Sequence, residues 1–264
     1  MLLESGKVSH EQSDILKHWR DTFSEIYNPY NTDEEHEPNQ QNNTHDNADH
    51  FVNVDKLDEH ITIEECRKAI YKAKNKKAVG IDCLPNEILK NQSSIIVLHK
   101  LFNECLANHK LPSLWSKSVI KPIPKNKAND PRVPSNYRGI SLISTICKLY
   151  THILNNRLVN YLETNSLIDD EQNGFRKDRS CEDHIFTLTS ILRNRKNANL
   201  DTFTCFVDMQ KAFDRVNRDI LYTKLAKIGV TGNFLDTLKQ LYTDCQAAVD
   251  VNGTYTAFLI LVQV

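Results

Sequence analysis

The chain has almost no net charge. Lys plus Arg number 33 against 34 Asp plus Glu, a formal balance of −1 over 264 residues. An overall polycation that holds nucleic acid by bulk charge is therefore excluded. The seven cysteines are odd in number, and no two stand in a Cys-x-x-Cys pair. That spacing gives neither a zinc site nor a disulfide framework, and reads as reduced, mostly buried thiols of a cytosolic or nuclear protein. No run approaches 18 apolar residues, and the N-terminus has no hydrophobic stretch of signal-peptide length. No internal repeat is found. Length alone allows one large core or two smaller ones.

The charge that is present is unevenly distributed. From Asp21 to Glu65 there are 13 acidic residues and one basic residue, Lys56. From Lys110 to Arg138 there are seven basic residues and one acidic residue, Asp130. Basic stretches attract phosphate and acidic ones repel it, although either also serves as an ordinary solvated face. Residues 28–50 are rich in Asn, Asp, Glu, Gln and His with few large apolar side chains, which predicts a disordered linker.

Periodicity predicts a helix near the N-terminus with Ile15, Leu16, Trp19 and Phe23 on or near one face. Thr62 and Glu65 form a capping box for a helix over 63–75, with Ile63, Cys66, Ile70 and Ala73 inward. A second helical region spans 86–108, with a break around Asn91. Lys117 to Ile123 reads as a strand, and the Pro and Asn residues from 122 to 136 as an extended exposed loop. Further helices are expected over 142–162 and 182–194. Asn217 is an N-cap for a helix ending at Gly229, and another runs from Gly232 to Tyr242. Asn252-Gly253 is a hairpin turn between 245–251 and 254–261.

The most informative segment is Phe203-Thr204-Cys205-Phe206-Val207-Asp208, followed by Phe213-Asp214. It predicts an apolar strand over 202–208 ending on a carboxylate. A strand end is rigid and holds an acid where a hard cation such as Mg²⁺ reaches it. One acid does not make a two-metal centre.

Five segments in order carry a resemblance. They are Gly80-Ile81-Asp82 with Pro85 and Glu87; Lys121-Pro122-Ile123-Pro124-Lys125; Asn136-Tyr137-Arg138-Gly139-Ile140-Ser141-Leu142; Gln172-Asn173-Gly174-Phe175-Arg176-Lys177-Asp178-Arg179-Ser180; and Phe206-Val207-Asp208 through Phe213-Asp214-Arg215-Val216. Over roughly 55–258 the chain resembles the reverse transcriptase of non-LTR, LINE-like or jockey-like, retrotransposons. The resemblance implies an α+β, right-hand polymerase fold: fingers and a partial palm. The implied reaction adds deoxynucleoside triphosphates to a primer 3′-hydroxyl on an RNA template with two Mg²⁺ ions.

The same resemblance assigns roles. Asp208 matches the catalytic, metal-binding acid. Lys125 and Arg138 match fingers residues that meet the incoming triphosphate; a planar guanidinium grips phosphate oxygens in pairs. Phe213 matches the ring beneath the incoming sugar. Gly174, Phe175, Arg176 and Arg179 match a template-touching segment. Taken singly, Phe213 and Phe175 also fit core aromatics, and each basic residue also fits a solvent-facing charge. Asp214 fits a cap or an ion pair better than a metal ligand. Gly80 and Asp82 match a fingers loop of structural or template-supporting role. Gly139 stands where the family usually has Pro, and glycine loosens the chain after Arg138.

A further departure is an absence. The family's Gln-Gly segment, paired acids and thumb do not follow Phe258, so the chain reads as truncated before the paired-acid hairpin and inactive alone. The apolar residues 258–262 are then expected to be uncovered. Residues 1–50 are assigned to an N-terminal helix and acidic linker. Residues 51–264 are assigned to a partial reverse transcriptase domain, with 51–200 mainly fingers and 201–264 the start of the palm. Expected partners are an RNA template, a DNA primer and deoxynucleoside triphosphates, with no membrane, in the cytoplasm or nucleus. The rival readings are a nucleic-acid-binding remnant without catalysis and a non-functional retroelement relic.

Overall fold

The computed structural model describes residues 8–28, 54–126, 128–209, 212–213 and 216–261. The expected acidic linker lies almost wholly outside these, as do Asp214 and Val262.

Most of the core is helical. α3 (Ile63–Lys72) starts with the expected capping box: the Glu65 amide donates to Thr62 Oγ1 at 3.1 Å, and the Thr62 amide to Glu65 Oε2 at 2.8 Å. Cys66 and Ile70 face inward, but Ile63, at the first position, is exposed. The 86–108 region divides into α4 (Asn86–Leu89) and α5 (Gln92–Asn108), with Asn91 capping the second through the Ser94 amide. α6 (Thr145–Thr164) begins three residues later than its periodicity suggests. Leu142 belongs instead to the preceding strand, and Ser144 caps the helix. Phe102, Trp115 and Tyr150 meet with ring centroids 5.2–6.3 Å apart, the centre of a core that α5, α6 and α9 (Gly232–Leu241) share.

Two of these helices receive caps from a distant part of the chain. Asp58, at the end of α2 (Asp55–Asp58), accepts the Phe234 amide at 2.6 Å at the start of α9. Asp82 accepts from Ser144 Oγ and the Thr145 amide, both at 2.7 Å, at the start of α6. A carboxylate at a helix N-terminus satisfies free amides and meets the positive end of the helix dipole. Gly80-Ile81-Asp82 is thus a staple between loop and helix. A Cβ on Gly80 would lie 1.9 Å from the Ile143 carbonyl oxygen, so only glycine lets the two backbones pass.

The sheet is open and mixed. β1 (Lys117–Pro124) pairs antiparallel with β2 (Tyr137–Ile143) and parallel with β3 (Gln246–Val251). Thus β1 runs through Pro122 and Pro124, where an irregular loop is expected from the sequence. β3 turns at Asn252-Gly253, both with positive φ, into β4 (Thr254–Tyr255), as the turn residues predict. β5 (Leu259–Ile260) then folds back onto β3. The result is a mixed fold of a central sheet and flanking helices.

One face of this sheet is covered by α1 (Gln12–Tyr27). Trp19, Phe23 and Tyr27 project one helical turn apart and are buried against Ile120, Ala247, Val249, Leu259 and Leu261. This corrects the expectation that 258–262 lack cover: Leu259 and Leu261 are core residues beneath α1, while Phe258 and Ile260 are exposed.

The clearest departure is the segment 201–209. No strand forms there, and its side chains lie open, Phe203 at 94 % and Phe206 at 84 % exposure. Apolar and aromatic residues set a strand's preference, but its amides and carbonyls need a neighbouring strand. None of β1–β5 pairs with this segment. α7 (Cys181–Asn197), just before it, has no buried residue and shows Ile185 and Phe186 to solvent. α8 (Arg218–Lys227) follows, capped by Asn217 as its sequence predicts. Of the seven cysteines, all free, Cys66, Cys105 and Cys147 are buried and Cys83, Cys181 and Cys205 exposed; the expectation of mostly buried thiols holds for the helical core alone. Among the described residues no helix is long and apolar enough to cross a membrane.

Candidate nucleotide and nucleic-acid site

Side chains alternate between the faces of a strand, so β1 and β2 each have an inner and an outer set. Ile120 and Gly139 lie on the inner face beneath α1. Lys121, Ile123 and Lys125 occupy the alternate, outer positions. The register sets Ile123 opposite Arg138 and Lys121 opposite Ile140, placing those two β2 residues on the same outer face. All five are exposed. The antiparallel hairpin therefore brings together Lys125 and Arg138, which stand 13 positions apart in the sequence.

These cations differ in their engagements. Lys125 Nζ donates to the Ser135 carbonyl at 2.8 Å, and its amide closes the hairpin on Asn136. The Arg138 side chain has no ion-pair or hydrogen-bond partner among the described residues. Lys121 Nζ lies 2.8 Å from Asp250 Oδ2 on β3. Asp250 is only 6 % exposed. Burial acts to raise its carboxyl, but Lys121 and the Gly253 amide outweigh burial and hold it below the usual carboxylate range. Asp250 thereby compensates Lys121, whereas among the described residues no carboxylate pairs with Arg138 or Lys125. Lys121 was not singled out from sequence as a site residue; its place in Lys121-Pro122-Ile123-Pro124-Lys125, at alternate spacing from Lys125, was the available signal.

The template-matching segment is organised by its own ion pairs. Arg176 grips Glu163 of α6 with two hydrogen bonds of 2.9 and 2.8 Å, and also donates to the Asp169 carbonyl at 2.9 Å. The pairing raises the Arg176 pKa and lowers that of Glu163. Arg179 donates to Asp170 at 2.9 Å. An added Cβ on Gly174 would lie 3.3 Å from Gln172 Nε2, a tight contact, but one with the far end of a flexible side chain that needs to give by only a few tenths of an ångström. Phe175 is 90 % exposed and meets Phe213 edge-on, with centroids 6.0 Å apart and planes at 81°. Neither ring is a core plug. The fold thus joins one template-matching aromatic with the aromatic matched to the sugar.

Asp208 belongs to the exposed irregular segment, and among the described residues no hydrogen bond or ion pair holds it. Among the described residues no three His, Cys, Asp or Glu side chains converge as metal ligands do. The described residues thus do not fit a two-metal centre, which needs several carboxylates to hold two mutually repelling divalent ions. A cavity of ≈ 710 Å³ between α6, α8 and α9 is walled by residues such as Leu154, Leu221, Leu225 and Leu238, and none of the candidate nucleotide-, template- or metal-binding residues lines it.

Comparison with known proteins agrees with the motif order. The chain belongs to the reverse transcriptase family: the family described as Reverse transcriptase (RNA-dependent DNA polymerase) matches residues 123–261, more than half of it. Its relatives include the probable RNA-directed DNA polymerase from transposon BS of Drosophila melanogaster. That protein is 31% identical over 198 residues, which cover 74% of this chain and 22% of the relative. The transposon TX1 uncharacterized 149 kDa protein of Xenopus laevis is 26% identical over 205 residues, 77% of this chain and 15% of its own length. The RNA-directed DNA polymerase from mobile element jockey of Drosophila funebris is 26% identical over 195 residues, 73% of this chain and 21% of its own. The chain is therefore related to the reverse transcriptases of non-LTR retrotransposons, and spans about a fifth of the length of these relatives.

Proposed function

We propose that this chain supplies the fingers and the start of the palm of a non-LTR retrotransposon reverse transcriptase. Its outer β1–β2 face receives the triphosphate of an incoming deoxynucleotide. The observation that supports this most directly is the antiparallel register, which sets unpaired Arg138 beside Lys125 on one exposed face while Asp250 neutralises Lys121. A guanidinium takes two phosphate oxygens at once, and an ammonium at hydrogen-bond reach adds a second charge. Phe213 is read as the ring beneath the incoming sugar. Phe175 offers an outward ring on which a template base stacks, a sequence-tolerant contact. Arg176 holds the turn that carries Phe175, and Arg179 is the more accessible phosphate contact.

Mg²⁺ is the metal of the family's chemistry, and Asp208 is the acid matched to it. The described residues assemble no carboxylate cluster to hold it, and we infer that the 264 residues alone do not polymerise. Primer extension on an RNA template with Mg²⁺ or Mn²⁺ tests that; incorporation above an Asp208→Ala control overturns it. Calorimetric titration with a deoxynucleoside triphosphate tests the phosphate face. Arg138→Ala is expected to weaken binding about tenfold, the lower end of a charged hydrogen-bonded contact. Unchanged affinity in the Lys125→Ala/Arg138→Ala double variant overturns the placement. With an RNA–DNA hybrid, binding should weaken as salt rises, by a logarithmic slope of about 0.7–0.9 per phosphate contact.

A further inference from the structure

The residue after Arg138 explains why an N-terminal helix belongs to this site. An added Cβ on Gly139 would lie 2.5 Å from Tyr27 Oη, 2.6 Å from Phe23 Cε1 and 2.8 Å from Ile120 Cγ2. All three neighbours are buried, so none has free space to retreat into. Two of the three belong to α1. The bare Cα of Gly139 is therefore a seat, and the aromatic face of α1 fills it. Tyr27 Oη also reaches the Gly139 carbonyl at 3.5 Å.

The residue before Arg138 is held by the same helix. Tyr137 meets Trp19 edge-on, centroids 5.0 Å apart and planes at 71°, and its hydroxyl donates to the Pro131 carbonyl at 3.0 Å. Both chain neighbours of Arg138 are thus fixed by α1 on the inner face, while Arg138 stands on the outer face. α1 is itself anchored at each end: Gln12 Nε2 donates to Thr254 Oγ1 at 3.0 Å, and Asn28 Nδ2 to the Ile260 carbonyl at 2.7 Å. Trp19, Phe23 and Tyr27 stack in series between these anchors, with centroids 5.8 and 6.1 Å apart.

We propose that α1 is a positioning element for the triphosphate-gripping hairpin, acting through Gly139 and Tyr137 to fix the backbone from which Arg138 projects. A glycine within a strand leaves the backbone loose. Here a helix docked on that glycine restores the stiffness that a ring or a branched side chain would otherwise give. Gly139, Phe23 and Tyr27 are positioning residues that do not touch the ligand. The proposal rests on the reading that Arg138 meets a triphosphate.

The test uses the full chain, hydrogen exchange and titration with a deoxynucleoside triphosphate. Gly139→Ala pushes on α1 from the strand, and Phe23→Ala empties the seat from the helix without altering β2. Each is expected to speed amide exchange in 12–27 and in 137–141 by roughly 10- to 100-fold, the scale of a misfilled core contact. Each should also weaken triphosphate binding to about the extent of Arg138→Ala. If Gly139→Ala fails to fold, Phe23→Ala alone decides. Variants whose α1 exchanges freely while triphosphate affinity is unchanged overturn the positioning role. Variants whose α1 stays protected overturn the seat. Absence of triphosphate binding in the unaltered chain overturns the phosphate-face reading itself, and this proposal with it.

Discussion

Replacing Arg157 with methionine should destabilise the chain more than replacing Arg138 or Lys125 with alanine. Arg157 stands on α6 with its side chain 10% exposed. A guanidinium has five N–H groups, and all five have acceptors here. Nε and Nη2 reach the two Glu65 oxygens at 2.7 and 2.9 Å. Nη1 donates to the Leu57 and Glu59 carbonyls at 3.1 and 2.6 Å, and Nη2 to the His60 carbonyl at 3.1 Å. The side chain therefore binds α2, the 59–62 loop and α3 to α6. Removing one partner of a buried pair costs about 3–5 kcal/mol, because the other charge stays unpaired. The Glu59 and His60 carbonyls border solvent and regain water, so the lower part of that range applies, about 3–4 kcal/mol. With a urea slope of about 2 kcal/mol/M, the unfolding midpoint falls by roughly 1.5–2 M. Glu65 supplies an independent check. Burial raises its carboxyl, but Arg157 and the Thr62 amide outweigh burial and hold it below the usual value. A carboxylate depressed in the folded state stabilises fully above its unfolded pKa, about 4.3, and that contribution fades as pH falls through the lower folded value. The variant should lose this acid-side dependence. Urea titrations followed by far-ultraviolet circular dichroism at pH 7 and across pH 3–5 measure both effects. A midpoint within 0.5 M of the unaltered chain (about 1 kcal/mol) would refute the reasoning.

Three further outcomes follow from particular contacts. Gly80→Ala should abolish soluble folding, because the added methyl meets backbone at Ile143, whereas Gly174→Ala should fold normally; recovery of folded protein from the two variants checks the contrast. Arg176→Ala should loosen residues 165–180 in hydrogen exchange with little change in the salt slope for an RNA–DNA hybrid, since Arg176 is committed to Glu163; a slope lowered by about one contact's worth would reverse that assignment. Removing residues 254–264 should lower stability by about 3–5 kcal/mol, the scale of losing two buried leucines, and should free α1; a raised thermal midpoint would show that Leu259 and Leu261 are dispensable.

Local rules made much of this fold legible. The Thr62–Glu65 box, the Asn217 cap and the Asn252-Gly253 turn each depend on a few adjacent residues, and each is found. The errors occur where a distant partner decides. Leu142 continues an apolar helical pattern, yet β1 recruits it into β2, because Ser144 offers a cap and the chain ahead of it has a strand to pair with. Gly139 reads in sequence as a weakness, yet Phe23 and Tyr27 occupy the missing side chain's space. Arg157 carries no motif. Its value comes from three carbonyls and a carboxylate between 92 and 100 positions away.

The same distinction separates the two parts of the proposed polymerase site. The phosphate face is nearly self-sufficient. β1 and β2 are consecutive strands, their pairing fixes which side chains share a face, and α1 and β3 supply backing from within the same chain. The acid at 208 has a different requirement. Its segment carries the apolar and aromatic residues that strands favour, but a strand satisfies its backbone only against another strand, and β1–β5 are already arranged without it. A side chain on an unpaired segment has too many orientations to hold a divalent ion at fixed distance. Triphosphate gripping should therefore be separable from catalysis: Arg138 and α1 set the first, and a partner strand for 202–208 sets the second.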